Sequence, residues 1–340
     1  MSSPPSTFNH SLISNGTNRS STERSSASIH QEVWLVSLLL VVIIGLSLNL
    51  SVISLVMMKK VPRRNMNLLV ANMAFSDFLS LLLEPSSLLS QMTGNSPWIG
   101  VSYLADVTCK LYTFTMNTST WVSLVTLLVI SVERFRAVSS VVHVTEKRSV
   151  LIILLLVSWV LPGLLNSSTF AFCAANNIGG TFQCLCVFTM QSAIYAVAAN
   201  VIFVLLVIVI LCLNFAIIRK LVRSQVAIHI PEAQQQKRAR RFRSATRMVI
   251  TSLLLFVLCA TPLYIVLTIF RMQFLLGVPI LSEWSGNMIN AVTVLFFVNP
   301  AASPIIYFVF LGDFRKVLRK FCCRKKVIGQ PNAEPGLPLT

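Results

Sequence analysis

Between Arg148 and Arg219 the chain runs for 70 residues without one Asp, Glu, Lys or Arg. A water-soluble fold carries charge on about a quarter of its residues and cannot hide a stretch of that length. Composition agrees, with 55% of the 340 residues apolar and 11% charged. A cytosolic enzyme, a disordered chain and a disulfide-rich secreted module are thereby excluded, which leaves an integral membrane protein.

A bilayer core of about 30 Å is crossed by about 20 apolar residues in a helix, whose backbone satisfies its own polar groups. Seven segments qualify: 33–58, 66–92, 111–132, 149–172, 190–218, 248–270 and 284–311. The second carries Asp77 and Glu84, and the third ends against Glu133 and Arg134. The expected fold class is therefore an all-α membrane protein, a seven-transmembrane helix bundle. Basic residues stay in cytoplasmic loops. Four lie in 59–65, four in 133–148, nine in 219–247 and seven from Gly312 onward, which places 24 of the 28 on one face. The amino terminus is expected outside and the carboxy terminus inside, so the formal charge of +17 reports topology. A nucleic-acid partner is not expected, because the charges are divided among loops between spans.

Residues 1–32 hold ten serines and no apolar run, and read as a disordered extracellular segment without a cleavable signal. Asn9, Asn15 and Asn18 each open an Asn-x-Ser/Thr acceptor there, in keeping with glycosylation outside. The receptor-like body spans 33–311, an amphipathic surface helix 312–323, and a disordered cytoplasmic tail 324–340. The chain shows neither an internal repeat of the transporter kind nor a nucleophile–base pair or metal cluster, so it is not read as an enzyme and no cofactor is expected.

Several intramembrane residues share a joint spacing: Asn49, Asp77, Cys109, Glu133-Arg134-Phe135, Trp159, Cys259-Ala260-Thr261-Pro262 and Ser303-Pro304-Ile305-Ile306-Tyr307. On these the chain, from about 33 to 323, resembles the rhodopsin-like (class A) G protein-coupled receptors. That family carries Asp/Glu-Arg-Tyr closing its third span, Cys-Trp-x-Pro in its sixth and Asn-Pro-x-x-Tyr in its seventh. The sequence departs from it at Ala260 and Ser303, and at Leu206 and Asn214 in the fifth span, while Phe256 is retained.

The resemblance implies roles for these positions. Glu133, Arg134, Phe135, Phe256, Pro262, Ser303, Pro304 and Tyr307 would form the activation and G protein-coupling machinery. Pro262 and Pro304 remove helix hydrogen bonds and mark bends. No Asp or Glu lies in 240–247 to hold Arg134 in the resting state, so basal signalling is expected. A carboxylate in mid-span costs about 2.5–3.5 kcal/mol, so Asp77 must face the bundle interior. Asn49, Ser123, Asn299 and Ser303 are its expected partners, and an allosteric sodium ion held at Asp77 is the one metal the resemblance implies.

Cys109 should pair with a cysteine of the 173–186 loop; Cys184 is the choice, with Cys173 and Cys186 left for a possible second bridge. Cys322 and Cys323 follow the apolar face of Phe314, Val317, Leu318 and Phe321, which suits palmitoylation on the inner leaflet.

The third span has Met116 where aminergic members carry Asp, and the seventh has no Lys for an opsin-type Schiff base. The remaining candidates are peptide and lipid receptors, and the resemblance favours a peptide receptor of the neuropeptide kind. The 172–191 loop is uncharged and its Gly179-Gly180 pair suits a β-hairpin lid, so a weakly charged peptide is expected. A lipid or other small-molecule ligand is the alternative, and a seven-span transporter or channel the rival class. Candidate pocket residues are Tyr112, Met116, Asn117, Thr120, Tyr264, Arg271 and Thr293. Expected partners are the ligand, a heterotrimeric G protein, arrestin, receptor kinases and membrane lipid, with the plasma membrane as location.

Overall fold

The computed structural model describes residues 21–93, 102–139, 148–178, 180–187, 189–224, 232–277 and 286–323. In chain order the elements are α1 (Ser21–Met57), α2 (Asn65–Thr93), α3 (Ser102–Ser139), α4 (Arg148–Leu165), a single turn α5 (Thr169–Phe172), strands β1 (Cys173–Ile178) and β2 (Thr181–Cys186), then α6 (Met190–Ser224), α7 (Glu232–Leu276), α8 (Gly286–Phe310) and α9 (Gly312–Cys323).

Six of these helices contain a stretch long and apolar enough to cross a membrane. The long helix outside that set is α3, which packs against α2, α4, α6 and α7 at once. From Thr118 to Leu127 nearly every residue of α3 is buried, Ser119, Ser123 and Thr126 among them. A helix surrounded by protein has no lipid to satisfy and can be less apolar than its neighbours. The other spans show the opposite face: Leu156, Val204 and Leu258 are among many large apolar side chains left exposed. Around α3 the bundle closes, with α1 against both α2 and α8, and α7 between α6 and α8.

Helices overrun the expected apolar limits. Helix α1 begins at Ser21, twelve residues before Val33, so helical structure enters the segment expected to be disordered. Extending a formed helix adds one hydrogen bond per residue without a new nucleus, which explains the overrun. Likewise α7 begins at Glu232, well ahead of the apolar run at Met248.

Close approach needs small residues. A Cβ on Gly45 would lie 2.6 Å from Leu81 Cδ1 and 2.9 Å from Ala301 Cα, so α1 can sit this near α2 and α8 only without a side chain there. Asn72 ties three helices: its Nδ2 donates to Thr126 Oγ1 (3.0 Å) and Ser158 Oγ (3.1 Å), and its Oδ1 accepts from Trp159 Nε1 (2.8 Å). The surface helix α9 is fixed by Phe314, fully buried and edge-on to Phe308, and by Asp313, which accepts from Asn67 Nδ2 (3.0 Å) and faces Arg64 at 3.6 Å.

Candidate functional site

The membrane-depth polar cluster is built from α2, α3 and α8. Asp77, 4% exposed, accepts at Oδ1 from Ser123 Oγ (2.7 Å), and Ser123 also meets Ser76 Oγ (2.9 Å). Ser303 lies beside both Asp77 and Tyr307, and its hydroxyl donates to the Asn299 carbonyl (2.9 Å). Asp77 Oδ2 has no hydrogen-bond partner among the described residues.

Asn49, expected as a partner of Asp77, is engaged elsewhere. Its Nδ2 donates to the carbonyls of Gly45 and Pro300, both at 2.9 Å. The reason lies in the sequence: Pro304 has no N–H to offer the carbonyl four residues back, which is that of Pro300. Asn49 supplies the missing donor and so binds α1 to α8 through the proline bend, while both helices stay continuous.

At the other end of α3, Arg134 Nη2 stands 3.8 Å from Glu133 Oε1. Its guanidinium also lies over the Phe242 ring, 5.7 Å from the centroid. Phe242, 9% exposed, belongs to an apolar cluster with Ile217 and Leu221 of α6, against which Phe135, Ala137 and Val138 of α3 pack. Sequence reasoning looked only for a carboxylate in 240–247 and missed this residue. The available signal was one aromatic side chain inside the basic run Arg240-Arg241-Phe242-Arg243.

The same end is stitched by polar contacts. Ser244 Oγ donates to the Phe310 carbonyl, joining α7 to α8. Lys220 Nζ donates to Ser139 Oγ (2.7 Å) and lies 4.9 Å from the Phe135 centroid, joining α6 to α3. Asn214, one of the departures from the family pattern, is 2% exposed and donates to Ser131 Oγ (2.9 Å). A neutral amide thus holds the fifth span to the third.

Between the two ends runs a chain of rings. Phe203 of α6 lies 6.4 Å from Trp121, 5.8 Å from Phe256 and 5.6 Å from Tyr264; Tyr264 then meets Phe296 at 6.4 Å. Ala260, 1% exposed, belongs to the same core. Phe203 was not singled out from sequence, because in the uniformly apolar stretch of α6 no pattern separates core from lipid face.

At the end of the bundle opposite Arg134, β1 and β2 pair antiparallel from Cys173↔Cys186 to Ile178↔Thr181, with Gly180 at φ +86° in the turn. The Cys109–Cys184 disulfide ties the hairpin to α3, and Cys173–Cys186 closes its base. Asp106 adds a further tie, accepting from the Ala175 backbone N–H (3.2 Å) while Lys110 Nζ donates to its other oxygen (2.7 Å). The Lys110 hydrogen bond holds the Asp106 carboxyl below the ordinary carboxylate range, and the Ala175 amide adds to it.

The candidate ligand residues are divided among α3, α7 and α8. Tyr112, Met116, Asn117, Thr120, Tyr264, Arg271 and Thr293 are all half-buried. Thr120 and Thr293 turn their hydroxyls back to the carbonyls of Met116 (3.2 Å) and Ile289 (2.8 Å). Arg271 shares electrostatic reach with Tyr264 two turns below it. Asn9, Asn15 and Asn18 and the side chains of Glu84, Cys322 and Cys323 lie outside the described residues.

Residues 48–307 match the family model described as "7 transmembrane receptor (rhodopsin family)". The chain is 26% identical to the growth hormone secretagogue receptor type 1 of Mus musculus over 291 residues, 82% of this chain and 77% of that protein. It is 26% identical to a QRFP-like peptide receptor of Branchiostoma floridae over 89% of this chain and 81% of the relative. Somatostatin receptor type 5 of Rattus norvegicus matches at 26% over 98% and 90% respectively.

Proposed function

The chain belongs to the rhodopsin family of seven-transmembrane receptors, and from that premise we propose that it binds an extracellular, weakly charged peptide and activates heterotrimeric G proteins. The observation that carries the coupling reading is the closed cluster around Arg134: one guanidinium, at the inner end of the central helix, covered by an aromatic ring from α7. Displacing α7 would uncover Arg134 together with the basic loops, which is the change a G protein needs to enter. Tyr307, Ser303 and Pro304 lie on the neighbouring helix that would have to adjust.

The peptide reading draws on the relatives, one of which is named a peptide receptor, and on the uncharged hairpin. A hairpin tethered to α3 through Cys109 and Asp106 and carrying no charged side chain suits a weakly charged ligand. Tyr264, Arg271 and Met116 are the side chains that would meet the peptide in this reading. The one-sided basic loops support a carboxy terminus in the cytoplasm, and in this reading the receptor sits in the plasma membrane, where arrestin and receptor kinases have access. Glycans at Asn9, Asn15 and Asn18 and palmitate on Cys322 and Cys323 fit this orientation.

A sodium ion fits the Asp77 cluster in donor chemistry. The unengaged Asp77 Oδ2 and the hydroxyls of Ser123 and Ser303 are hard oxygens around one carboxylate. Asp77, Ser123 and Ser303 would hold the ion, whose charge would offset that of the carboxylate, with Ser123 orienting Asp77 and Ser303 linking the site to α8. Sodium is expected to raise the melting temperature of wild type and not of Asp77→Asn, and equal melting curves in sodium and in N-methylglucamine would remove the ion from this account.

The deciding experiment is a screen of peptide and lipid libraries on cells carrying several G protein reporters. A peptide agonist that drives nucleotide exchange supports the proposal, and activation by lipids alone moves the receptor to the small-molecule class. Electrogenic flux without any G protein would refute it.

A further inference from the structure

The inner ends of α3 and α6 meet at a single hydroxyl. Ser139, the last residue of α3, is exposed; its Oγ accepts from Lys220 Nζ (2.7 Å) and donates to the Phe135 carbonyl (2.7 Å). Lys220 is exposed as well, and its ammonium lies 4.9 Å from the Phe135 ring centroid. Arg136, also exposed, precedes Ser139 by three residues and so lies on the same side of α3. Among the described residues neither Lys220 nor Arg136 forms an ion pair, since Glu133 stands beside Arg134 and Asp313 beside Arg64. Two cations without a carboxylate therefore flank one hydroxyl at the mouth of the coupling face, a setting that suits an added dianion.

A phosphoryl group on Ser139 supplies that charge. The run Arg136-Ala137-Val138-Ser139 sets a guanidinium three residues before the hydroxyl, a basic mark that a kinase with an acidic substrate pocket can read. Ser139 closes α3, and helix ends fray, so the last turn can open into such a cleft. In the transfer, Ser139 Oγ attacks the γ-phosphorus of magnesium-bound ATP and forms the new P–O bond. The bond from that phosphorus to the β–γ bridging oxygen breaks, ADP leaves, and the hydroxyl proton passes to the catalytic Asp of the kinase.

We propose that Ser139 is a phosphorylation site for an Arg-directed serine/threonine kinase, and that its phosphate clamps α3 to α6 through Lys220 and Arg136, holding the coupling face closed. A phosphoserine brings about −1.5 to −2 charge and three acceptor oxygens, and opposite basic side chains it makes charge-assisted hydrogen bonds stronger than those of the hydroxyl. The clamp bears on Arg134 through packing. Ile217 and Leu221 flank Lys220 in α6 and, with Phe242 of α7, form the cluster whose ring covers the Arg134 guanidinium. Binding α6 more firmly to α3 keeps that seat in place, so α7 leaves it less readily. This role for Ser139 rests on the coupling reading above, both for the side of the membrane and for the effect on exchange.

The test uses full-length receptor in lipid nanodiscs, treated with ATP and the catalytic subunit of cyclic AMP-dependent protein kinase, and in parallel receptor with phosphoserine encoded in place of Ser139. Peptide mass spectrometry should find phosphate at Ser139, and Arg136→Gln should slow its appearance about tenfold, the worth of one charged contact. No phosphate at Ser139, or a rate indifferent to Arg136→Gln, overturns the kinase assignment. In the encoded form the phosphorus resonance should titrate at a lower pH than in the same receptor carrying Lys220→Gln, because the ammonium favours the dianion. Equal midpoints in receptors with normal melting curves overturn the clamp, whether or not a G protein couples. Ligand-free nucleotide exchange should fall about tenfold with phosphoserine and recover most of that loss with Lys220→Gln. A loss of the same size in both backgrounds overturns the clamp in favour of plain repulsion of the G protein. Exchange absent even from unmodified receptor refutes the coupling reading instead, and the phosphorus titration then decides the clamp alone.

Discussion

Replacing Phe242 with Ala should raise signalling without ligand well above the basal level of wild type. The ring contributes two separable interactions to the closed inner face. Its contact with Arg134, at 5.7 Å, is near the outer limit for a cation–π pair and is worth about 0.5–1 kcal/mol. Its packing against Ile217, Leu221 and Phe135 belongs to a site only 9% exposed, where Phe→Ala removal costs about 3–5 kcal/mol in full. Only the part lost when α7 moves away shifts the equilibrium between closed and open states. With half the packing lost, the two together give about 2–3.5 kcal/mol, or about thirty- to three-hundredfold in the closed-to-open ratio at 1.4 kcal/mol per tenfold. Phe242→Leu keeps most of the apolar contact and loses the ring, so about two- to fivefold is expected from it. The assay is ligand-free nucleotide exchange on a panel of purified G proteins, normalised to folded receptor. Exchange by Phe242→Ala equal to wild type across the panel would show that the ring does not hold the closed state. Comparable effects of the Ala and Leu variants would assign the whole contribution to the cation–π contact and contradict the packing part of the reasoning.

Gly45→Ala should lower thermal stability by about 1–3 kcal/mol, because the new Cβ would meet the Ala301 backbone at 2.9 Å, an atom that cannot rotate away; an unchanged melting temperature would mean that α1 is not seated this closely. Asn49→Ala should destabilise by about 1–3 kcal/mol through the unpaired Pro300 carbonyl, with Asn49→Leu no better since it has no donor; full stability of the Ala variant would refute the bridge. Asp106 has a depressed folded-state value, so its contribution to docking the hairpin is present at neutral pH and lost as pH falls through that value, below the ordinary carboxylate range. Hydrogen exchange at the Ala175 amide should quicken at that acid limit and already at neutral pH in Asp106→Asn, and an exchange rate indifferent to both would separate the hairpin from Asp106.

The chain's own residues determined the class of answer. Seven apolar stretches, the one-sided basic loops and the spacing from Asn49 to Tyr307 are properties of residue type and interval, and a bilayer reads them directly: uncharged lengths insert and cations remain inside. The surface helix from Gly312 to Cys323 was equally legible, since its apolar and basic faces alternate at helical spacing. The pairing of Cys109 with Cys184 came from the family resemblance rather than from spacing, and the second bridge needed the hairpin register that sets Cys173 opposite Cys186.

What tertiary structure alone decided is which side of each helix faces which neighbour. In a membrane protein lipid and core are both apolar, so the pattern that marks a buried face in water disappears. That is why Phe203, at the centre of the aromatic chain, could not be told from the lipid-facing Val204 beside it. The same loss of pattern hid the tie of Asn214 to Ser131, and it hid the engagement of Asn49 with Pro300 rather than Asp77. Phe242 is the sharpest case: the sequence shows that no acid in 240–247 can reach Arg134, and only the packing of α7 against α3 shows that a ring takes its place. Sequence set the chemistry available to each helix, and the rotation of the helices about one another chose which of it is used.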